Sequence, residues 1–213
     1  MPLTRAARSA SLSTRKARGK PPRTATPARV LPKRNRTARP TRPFHWVSPL
    51  LRVVDRGGNI GRSLVAAKAI RKGTLVLMMG GHIMTIEQHG RLPEPLRHYP
   101  THVSDGLLIG RMSLGEPDEP GEFVNHSCDP NCGMQDQLSV VARRNIRAGD
   151  PITIDYAMCM TSAILNLACE CREPGCRGRI TGDDWKRREL QKRYKGSFVA
   201  YIERLIAGGR GHN

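Results

Sequence analysis

The chain has 213 residues and a formal net charge of +18, which suits one globular domain with additional tails. No apolar run reaches the roughly 18–20 residues that a membrane-spanning helix needs, and the N-terminus lacks the apolar core of a secretory signal. We therefore expect a cytoplasmic (intracellular) protein whose six cysteines are thiols or metal ligands rather than disulfides.

The first 43 residues carry most of the positive charge. They contain ten Arg, three Lys and no acidic residue, whereas the remaining 170 residues have a net charge of only +5. Large apolar side chains are almost absent, so burial cannot offset the entropy of ordering, and we predict that residues 1–43 are a disordered basic tail. Such a tail can bind nucleic acid or another polyanion through charge, which would give nucleoid or chromatin association. A targeting peptide and a plain solubilising extension are the alternative interpretations.

Residues 44–160 have the pattern of one mainly β domain. Short apolar or alternating runs at 51–58, 63–70, 73–83, 106–114, 138–146 and 152–158 are separated by Gly-bearing turns. Residues 85–98 are predicted to form a broken, partly helical insert. Many short strands with irregular connections indicate a mainly β fold with long loops.

The hydrophobic period changes after Gly182. Trp185, Leu190, Tyr194 and Tyr201 recur at mostly helical spacings, and Gly196 is expected to divide the segment into two helices. Aromatic stripes of this kind usually pack on a domain rather than bind a ligand. We predict that residues 182–213 form a short helical extension.

Residues 161–181 contain a cysteine pattern that suits a metal. The pattern C-x-C-x4-C comprises Cys169, Cys171 and Cys176. A closed structural zinc site needs four ligands, and coordination can supply folding energy to a loop with little core. The fourth ligand must come from elsewhere: Cys128 is the first candidate, then Cys132, then Cys159. Unlinked thiols or a disulfide are the alternatives.

Three motifs in this order resemble a known family. They are FVNHSCDPN at 123–131, GDPITIDY at 149–156 and the cysteine pattern, and together they resemble the SET domain of protein-lysine methyltransferases with its post-SET zinc segment. The stretch at 60–81 resembles the N-terminal part of that domain, and the ending at 180–206 is similar to that of small bacterial SET proteins. The resemblance implies a β-clip-like fold with a knot-like crossing, in which 44–160 is the SET domain and 161–181 the post-SET segment.

The same resemblance implies a role for individual residues. Gly61 and Arg62 would offer backbone groups to S-adenosylmethionine, Asn125 would hold its amino-acid end, and His126 would contact its adenine through main-chain bonds. Tyr156 would be the active-site tyrosine, although a lone tyrosine in such a run is ordinarily a packed strand residue.

Cys128 would complete the zinc site with Cys169, Cys171 and Cys176. The segment 125–128 would then join the cofactor pocket to the metal. The implied partner is a lysine-bearing, basic protein or peptide, and the implied activity is S-adenosylmethionine-dependent lysine N-methylation.

Several positions depart from the family pattern. Ser63 stands where a second glycine is common, and Met78 and Met79 replace a usual Glu-Tyr pair. Glu122 replaces a common Arg, and Ile154 occupies a position where many members carry Phe or Tyr. These departures leave the choice of substrate and the degree of methylation open.

An acidic segment, LGEPDEPGE at 114–122, precedes the expected active site. It could attract a Lys- or Arg-rich peptide through charge, or be a solvated loop. The competing hypothesis for the whole chain is a non-catalytic, zinc-containing binding module that attaches to nucleic acid through residues 1–43.

Overall fold

The computed structural model describes residues 44–58, 61–98, 100–161 and 163–209, all within the compact unit Pro40–Asn213. The predicted disordered tail, residues 1–43, lies outside the described residues. Among the described residues, no helix has both the length and the hydrophobicity to cross a bilayer.

Short strands dominate the described part of the chain, as predicted. They are β1 (Trp46–Val47), β2 (Leu51–Asp55), β3 (Arg62–Ala66), β4 (Leu75–Met78), β5 (His82–Thr85), β6 (Thr101–Ser104), β7 (Leu107–Gly110), β8 (Asn125–His126), β9 (Cys132–Met134), β10 (Ser139–Ala142), β11 (Thr153–Ile154), β12 (Asn166–Ala168) and β13 (Arg179–Thr181). The α-helices are α1 (Ile86–Gly90), α2 (Arg188–Arg193) and α3 (Ala200–Gly209), and 3-10 turns cover Glu94–His98, Pro120–Phe123, Tyr156–Met158 and Asp184–Lys186.

The strands form several small sheets instead of one large sheet. A four-stranded antiparallel sheet has the order β1-β4-β10-β9, and a three-stranded sheet with the order β5-β7-β6 flanks the partly helical insert. The pairs β2-β3 and β12-β13 are antiparallel. The pair β8-β11 is parallel, with Asn125 opposite Thr153 and His126 opposite Ile154. This pair places the two sequence motifs side by side, as the predicted crossing requires.

One core joins the sheets to the C-terminal helices. Leu64 on β3, Leu77 on β4 and Val140 on β10 are fully buried, and so is Ile202 on α3. The helices α2 and α3 are separated at Gly196, whose φ of 74° lies in the left-handed region that favours glycine. The predicted division into two helices is therefore confirmed, and the helical extension packs as part of the domain.

One predicted strand is shorter than its sequence pattern suggests. The run ITIDYAM at 152–158 keeps its strand only to Ile154, and Tyr156 begins a 3-10 turn. The carboxylate of Asp155 accepts a hydrogen bond from the backbone N–H of Ala157 at 3.0 Å. A short polar side chain that bonds to the nearby backbone in this way competes with the extended ladder and ends the strand.

Candidate active site and metal centre

Tyr156 lies just after β11 and contacts His126 and Val124. Its backbone N–H donates to Nδ1 of His126 at 3.2 Å, and its hydroxyl donates to the carbonyl oxygen of Val124 at 3.2 Å. The rings of His126 and Tyr156 pack edge to face with centroids 5.2 Å apart. Because β8 and β11 are paired, the Asn-His segment and Tyr156 are adjacent despite thirty residues of separation.

Tyr156 lines two cavities, and this is the central feature of the site. The smaller cavity, of about 150 Å³, is mostly apolar; its lining includes Met79, Val124, Ile154, Met160 and Leu165. The larger one, of about 690 Å³, is lined by polar groups that include Ser63, Asn125, His126 and Thr153. Leu167 on β12 also lines both cavities. A phenol hydroxyl at such a junction can act on groups that enter from either cavity.

Asn125 faces the larger cavity with a fixed side-chain amide. Its Nδ2 donates to the carbonyl oxygen of Arg62 at 3.1 Å and to Oγ of Ser63 at 2.6 Å. Because both bonds use the amide nitrogen, Oδ1 is the atom that can accept a hydrogen bond from a ligand. Ser63 thus belongs to the site; sequence reasoning noted it only as a departure from the family pattern.

The structure does not place Gly61 and Arg62 among the residues that line the larger cavity. Gly61 has a φ of 59°, and its backbone closes the turn after β2 through bonds with Arg56 and Gly57. The Arg62 side chain pairs with Asp118 at 2.6 Å and stacks over the Phe123 ring. Their predicted cofactor contacts therefore stay predictions.

His126 has a buried imidazole that joins Tyr156 to the cysteine loop. Besides the bond from the Tyr156 backbone, its Nε2 lies 3.3 Å from Sγ of Cys128. Burial lowers the pKa of His126 to about 4, against a smaller opposing effect of Asp155. A neutral ring suits both contacts, since Nδ1 accepts the Tyr156 N–H and Nε2 carries the proton toward the sulfur.

Four cysteine sulfurs converge beside this histidine. The sulfurs of Cys128, Cys169, Cys171 and Cys176 all lie within 4.8 Å of one another. Those of Cys128 and Cys169 are 3.8 Å apart, the separation that tetrahedral Zn–S bonds of about 2.3 Å would produce. The set of donors therefore fits a structural zinc ion. The hairpin β12-β13 flanks the loop that supplies three of the four sulfurs.

The two other cysteines are not part of this cluster. Cys132 on β9 and Cys159 after the Tyr156 turn lie in the hydrophobic core. Burial raises the pKa of each thiol to about 12, so both remain protonated at neutral pH. Of the three candidates for the fourth ligand, only Cys128 is brought to the other sulfurs.

Arg177 is a buried cation that sequence reasoning missed. It follows Cys176, and its guanidinium donates two hydrogen bonds to Asp155, at 2.6 and 2.8 Å, and one to Asp184 at 3.0 Å. Burial alone would raise the pKa of Asp155, but the hydrogen bonds from Arg177 outweigh it and the pKa lies below its ordinary value. An arginine directly after the last cysteine has no local pattern that marks it as buried.

The acidic segment at 114–122 is largely neutralised within the chain. Glu122 and Asp118 both pair with Arg111, at 2.7 and 2.9 Å. The buried carboxylate of Glu119 accepts the backbone N–H groups of Phe44 and His45. These carboxylates organise the loop before β8, so the segment offers a basic peptide less charge than the sequence suggests.

Comparison with known proteins identifies the fold. Residues 61–157 match the family model for the SET domain. Histone-lysine N-methyltransferase ash1 of Drosophila melanogaster is 31% identical over 140 residues, which are 60% of this chain and 6% of that protein. Histone-lysine N-methyltransferase set1 of Dictyostelium discoideum is 37% identical over 86 residues, which are 37% of this chain and 6% of that protein.

A solved structure gives the same result at the level of the backbone. Arabidopsis thaliana SUVH6, in a crystal structure in complex with SAM, superposes with a TM-score of 0.52 at 18% identity and covers 62% of this chain and 33% of that one. The chain thus spans only a small part of the curated relatives that it matches. Residues 61–157 thus match the SET domain, and the mainly β architecture of the described residues agrees with that fold.

Proposed function

We propose that this chain is an S-adenosylmethionine-dependent protein-lysine N-methyltransferase with a structural zinc site. The observation that carries the proposal is the position of Tyr156, which lines both a cavity of about 690 Å³ with many polar side chains and a cavity of about 150 Å³ with many aliphatic side chains. In this proposal the larger cavity holds the cofactor and the smaller one receives the substrate lysine. The names of the relatives, which refer to histone lysine, support the choice of substrate group.

The larger cavity has groups that fit the cofactor. Oδ1 of Asn125 can accept hydrogen bonds from the α-ammonium group, and Ser63 keeps the amide in that orientation. His126 lies on β8, whose backbone can contact the adenine, while its side chain bonds to Tyr156 and Cys128. When bound, the cofactor supplies an electrophilic methyl group on a positively charged sulfur.

The smaller cavity suits a neutral amine. Lysine has an ordinary pKa of about 10.4, and apolar surroundings lower it by disfavouring the charged form. The hydroxyl of Tyr156 is oriented by Val124, so it can hold the amine in line with the methyl group. The neutral amine forms a C–N bond as the C–S bond breaks, and the methylated ammonium product then loses its extra proton to solvent.

The zinc site has a structural role in this proposal. Cys128 joins it to the Asn-His segment, and the three loop cysteines hold Leu167 and its neighbours over both cavities. Metal coordination can supply the folding energy that this exposed loop lacks. No chemical step requires a metal at the reacting carbon.

The decisive test compares two Tyr→Phe variants. Transfer of labelled methyl groups to lysine-rich proteins should fall by about 100-fold or more in Tyr156→Phe, while calorimetric affinity for S-adenosylmethionine is largely kept. Tyr201→Phe is the matched control, since Tyr201 is buried but lines neither cavity. Equal rates in wild type and Tyr156→Phe would refute the role of Tyr156. Absence of cofactor binding would favour the non-catalytic binding module.

Two residues of the smaller cavity that depart from the family pattern bear on how many methyl groups the product carries. Met79 and Ile154 line it, in place of aromatic residues common in the family, whereas Met78 is exposed. We propose that the aliphatic Ile154 leaves room for more than one methyl group. Mass spectrometry of the product should then show fewer methyl groups with Ile154→Phe, and an unchanged methyl count would contradict this.

We propose the layout of the chain as a basic tail at 1–43, the SET domain at 44–160, the post-SET segment at 161–181 and the helical extension at 182–213. Association with chromatin or a nucleoid is proposed from the charge of the tail and the names of the relatives. A salt-dependent gel-shift assay with and without residues 1–43 tests it.

A further inference from the structure

Arg177 links three parts of the chain that are distant in sequence. Its side chain is 7% exposed, and it bonds to Asp155 next to Tyr156 and to Asp184 in the helical extension. Its backbone N–H lies 3.4 Å from Sγ of Cys128. One residue of the cysteine loop thus contacts the active-site turn, the extension and the Asn-His-Ser-Cys segment.

Asp155 is the partner that connects Arg177 to Tyr156. Its carboxylate is fully buried, and besides the two bonds from Arg177 it accepts the backbone N–H of Ala157. That last bond closes the 3-10 turn which Tyr156 begins. A displacement of the Asp155 carboxylate would therefore shift the turn, and with it the phenol ring.

An arginine suits this position better than another cation. Its planar guanidinium offers five donors in a fixed arrangement, so it can hold one carboxylate with two bonds and a second carboxylate with a third. A lysine would keep the charge but would lack that planar two-bond geometry. The contact thus constrains the orientation of Asp155 as well as balancing its charge.

We propose that Arg177 is a positioning residue for Tyr156: it transmits the folded state of the cysteine loop to the active-site turn through Asp155. The catalytic part of this inference rests on the proposed lysine methyl transfer. The positional part concerns the turn alone and can be tested without any activity.

The test uses Arg177→Lys, with Arg144→Lys as the matched control. Arg144 also pairs with an aspartate near the cysteine cluster, since it bonds to Asp129 at 2.9 Å, but this pair is exposed and does not touch the Tyr156 turn. Hydrogen exchange is measured at the amides of Tyr156 and Ala157, which bond to His126 and Asp155. Zinc content, cofactor affinity and kcat are measured on the same samples.

The expected result is a specific loss of order and turnover. Exchange at the Tyr156 and Ala157 amides should rise by about tenfold or more, and kcat should fall by about 10- to 100-fold, since small misplacements near a reacting centre have effects of that size. Zinc content and cofactor affinity should be kept. Arg144→Lys should match wild type in all four measurements.

Unchanged exchange in Arg177→Lys overturns the proposal, as does faster exchange with an unchanged kcat. Loss of zinc in parallel with activity also overturns it, because Arg177 would then act on the metal loop. A wild-type protein without methyl transfer refutes the proposed function but leaves the exchange result decisive for the positional part. If Arg177→Lys does not fold, Asp184→Asn replaces it, because this variant weakens one bond to Arg177. Hydrogen exchange at the Tyr156 and Ala157 amides should then rise by a smaller factor. An unchanged exchange rate in Asp184→Asn overturns the proposal.

Discussion

Replacing Tyr194 tests how firmly the helical extension belongs to the SET domain. Tyr194 follows α2 and is fully buried, and its hydroxyl donates to the carbonyl oxygen of Cys128 at 3.1 Å. The guanidinium of Arg143 lies 4.8 Å from the centre of its ring, and Phe198 packs against it edge to face. The ring and the hydroxyl thus make separate contributions that two variants can distinguish.

The two contributions differ in size. Tyr194→Phe removes one hydrogen bond, which contributes about 0.5–1.5 kcal/mol to the free energy of unfolding. The Cys128 carbonyl keeps a bond from Arg193 at 3.3 Å, so we expect a cost of no more than about 1 kcal/mol. Tyr194→Ala also removes the buried ring and leaves a cavity, and such changes cost about 3–5 kcal/mol.

Urea unfolding at saturating zinc measures both variants, followed by tryptophan fluorescence. Tyr201→Phe is the control: its hydroxyl makes no hydrogen bond to a described residue, and its cost should be within about 0.5 kcal/mol. A cost of less than about 1 kcal/mol for Tyr194→Ala would show that the extension is not part of the core. Equal costs for Tyr194→Phe and Tyr194→Ala would refute the assignment of stability to the ring.

Three further predictions concern other parts of the chain. Burial lowers the pKa of His102 to about 4. In the unfolded chain this histidine binds a proton near pH 6.5, so its contribution to the free energy of unfolding is fully present above pH 6.5. That contribution falls by up to about 3 kcal/mol as the pH drops to 4. The asparagine variant His102→Asn keeps an acceptor like Nδ1 but cannot titrate, so its unfolding free energy should vary less between pH 6.5 and 4, and an unchanged slope would contradict the reasoning. A Cβ on Gly121 would lie 2.0 Å from Nδ1 of His45, so Gly121→Ala should cost about 1–3 kcal/mol in thermal unfolding, whereas Gly90→Ala, with open space, should be neutral or stabilising. In competition with a chelator, Cys171→Ser should weaken zinc binding by more than about 100-fold, since even neighbours of ligands contribute about 10- to 100-fold; unaltered affinity would exclude this sulfur as a ligand.

Local patterns in the sequence were enough to predict the fold class and the order of its parts. Short alternating runs with glycine turns predicted the short strands, and the change to helical spacing after Gly182 predicted α2 and α3. The strands and helices depend on neighbours within a few residues, and the chain encodes such features directly. The SET domain was indicated by the resemblance of the motifs around Asn125 and Tyr156 to a known family.

Convergence over long distances was decided only by the tertiary structure. Three cysteines were candidates for the fourth sulfur, and the register of β8 against β11 placed Cys128 at the cluster, while Cys132 and Cys159 entered the core. The same folding buried Arg177 between two aspartates and paired the acidic segment at 114–122 with Arg111. Burial and pairing of charges depend on which strands and loops contact each other in the folded chain. Hydrophobic periodicity is a local property and does not specify contacts between elements that are distant in sequence.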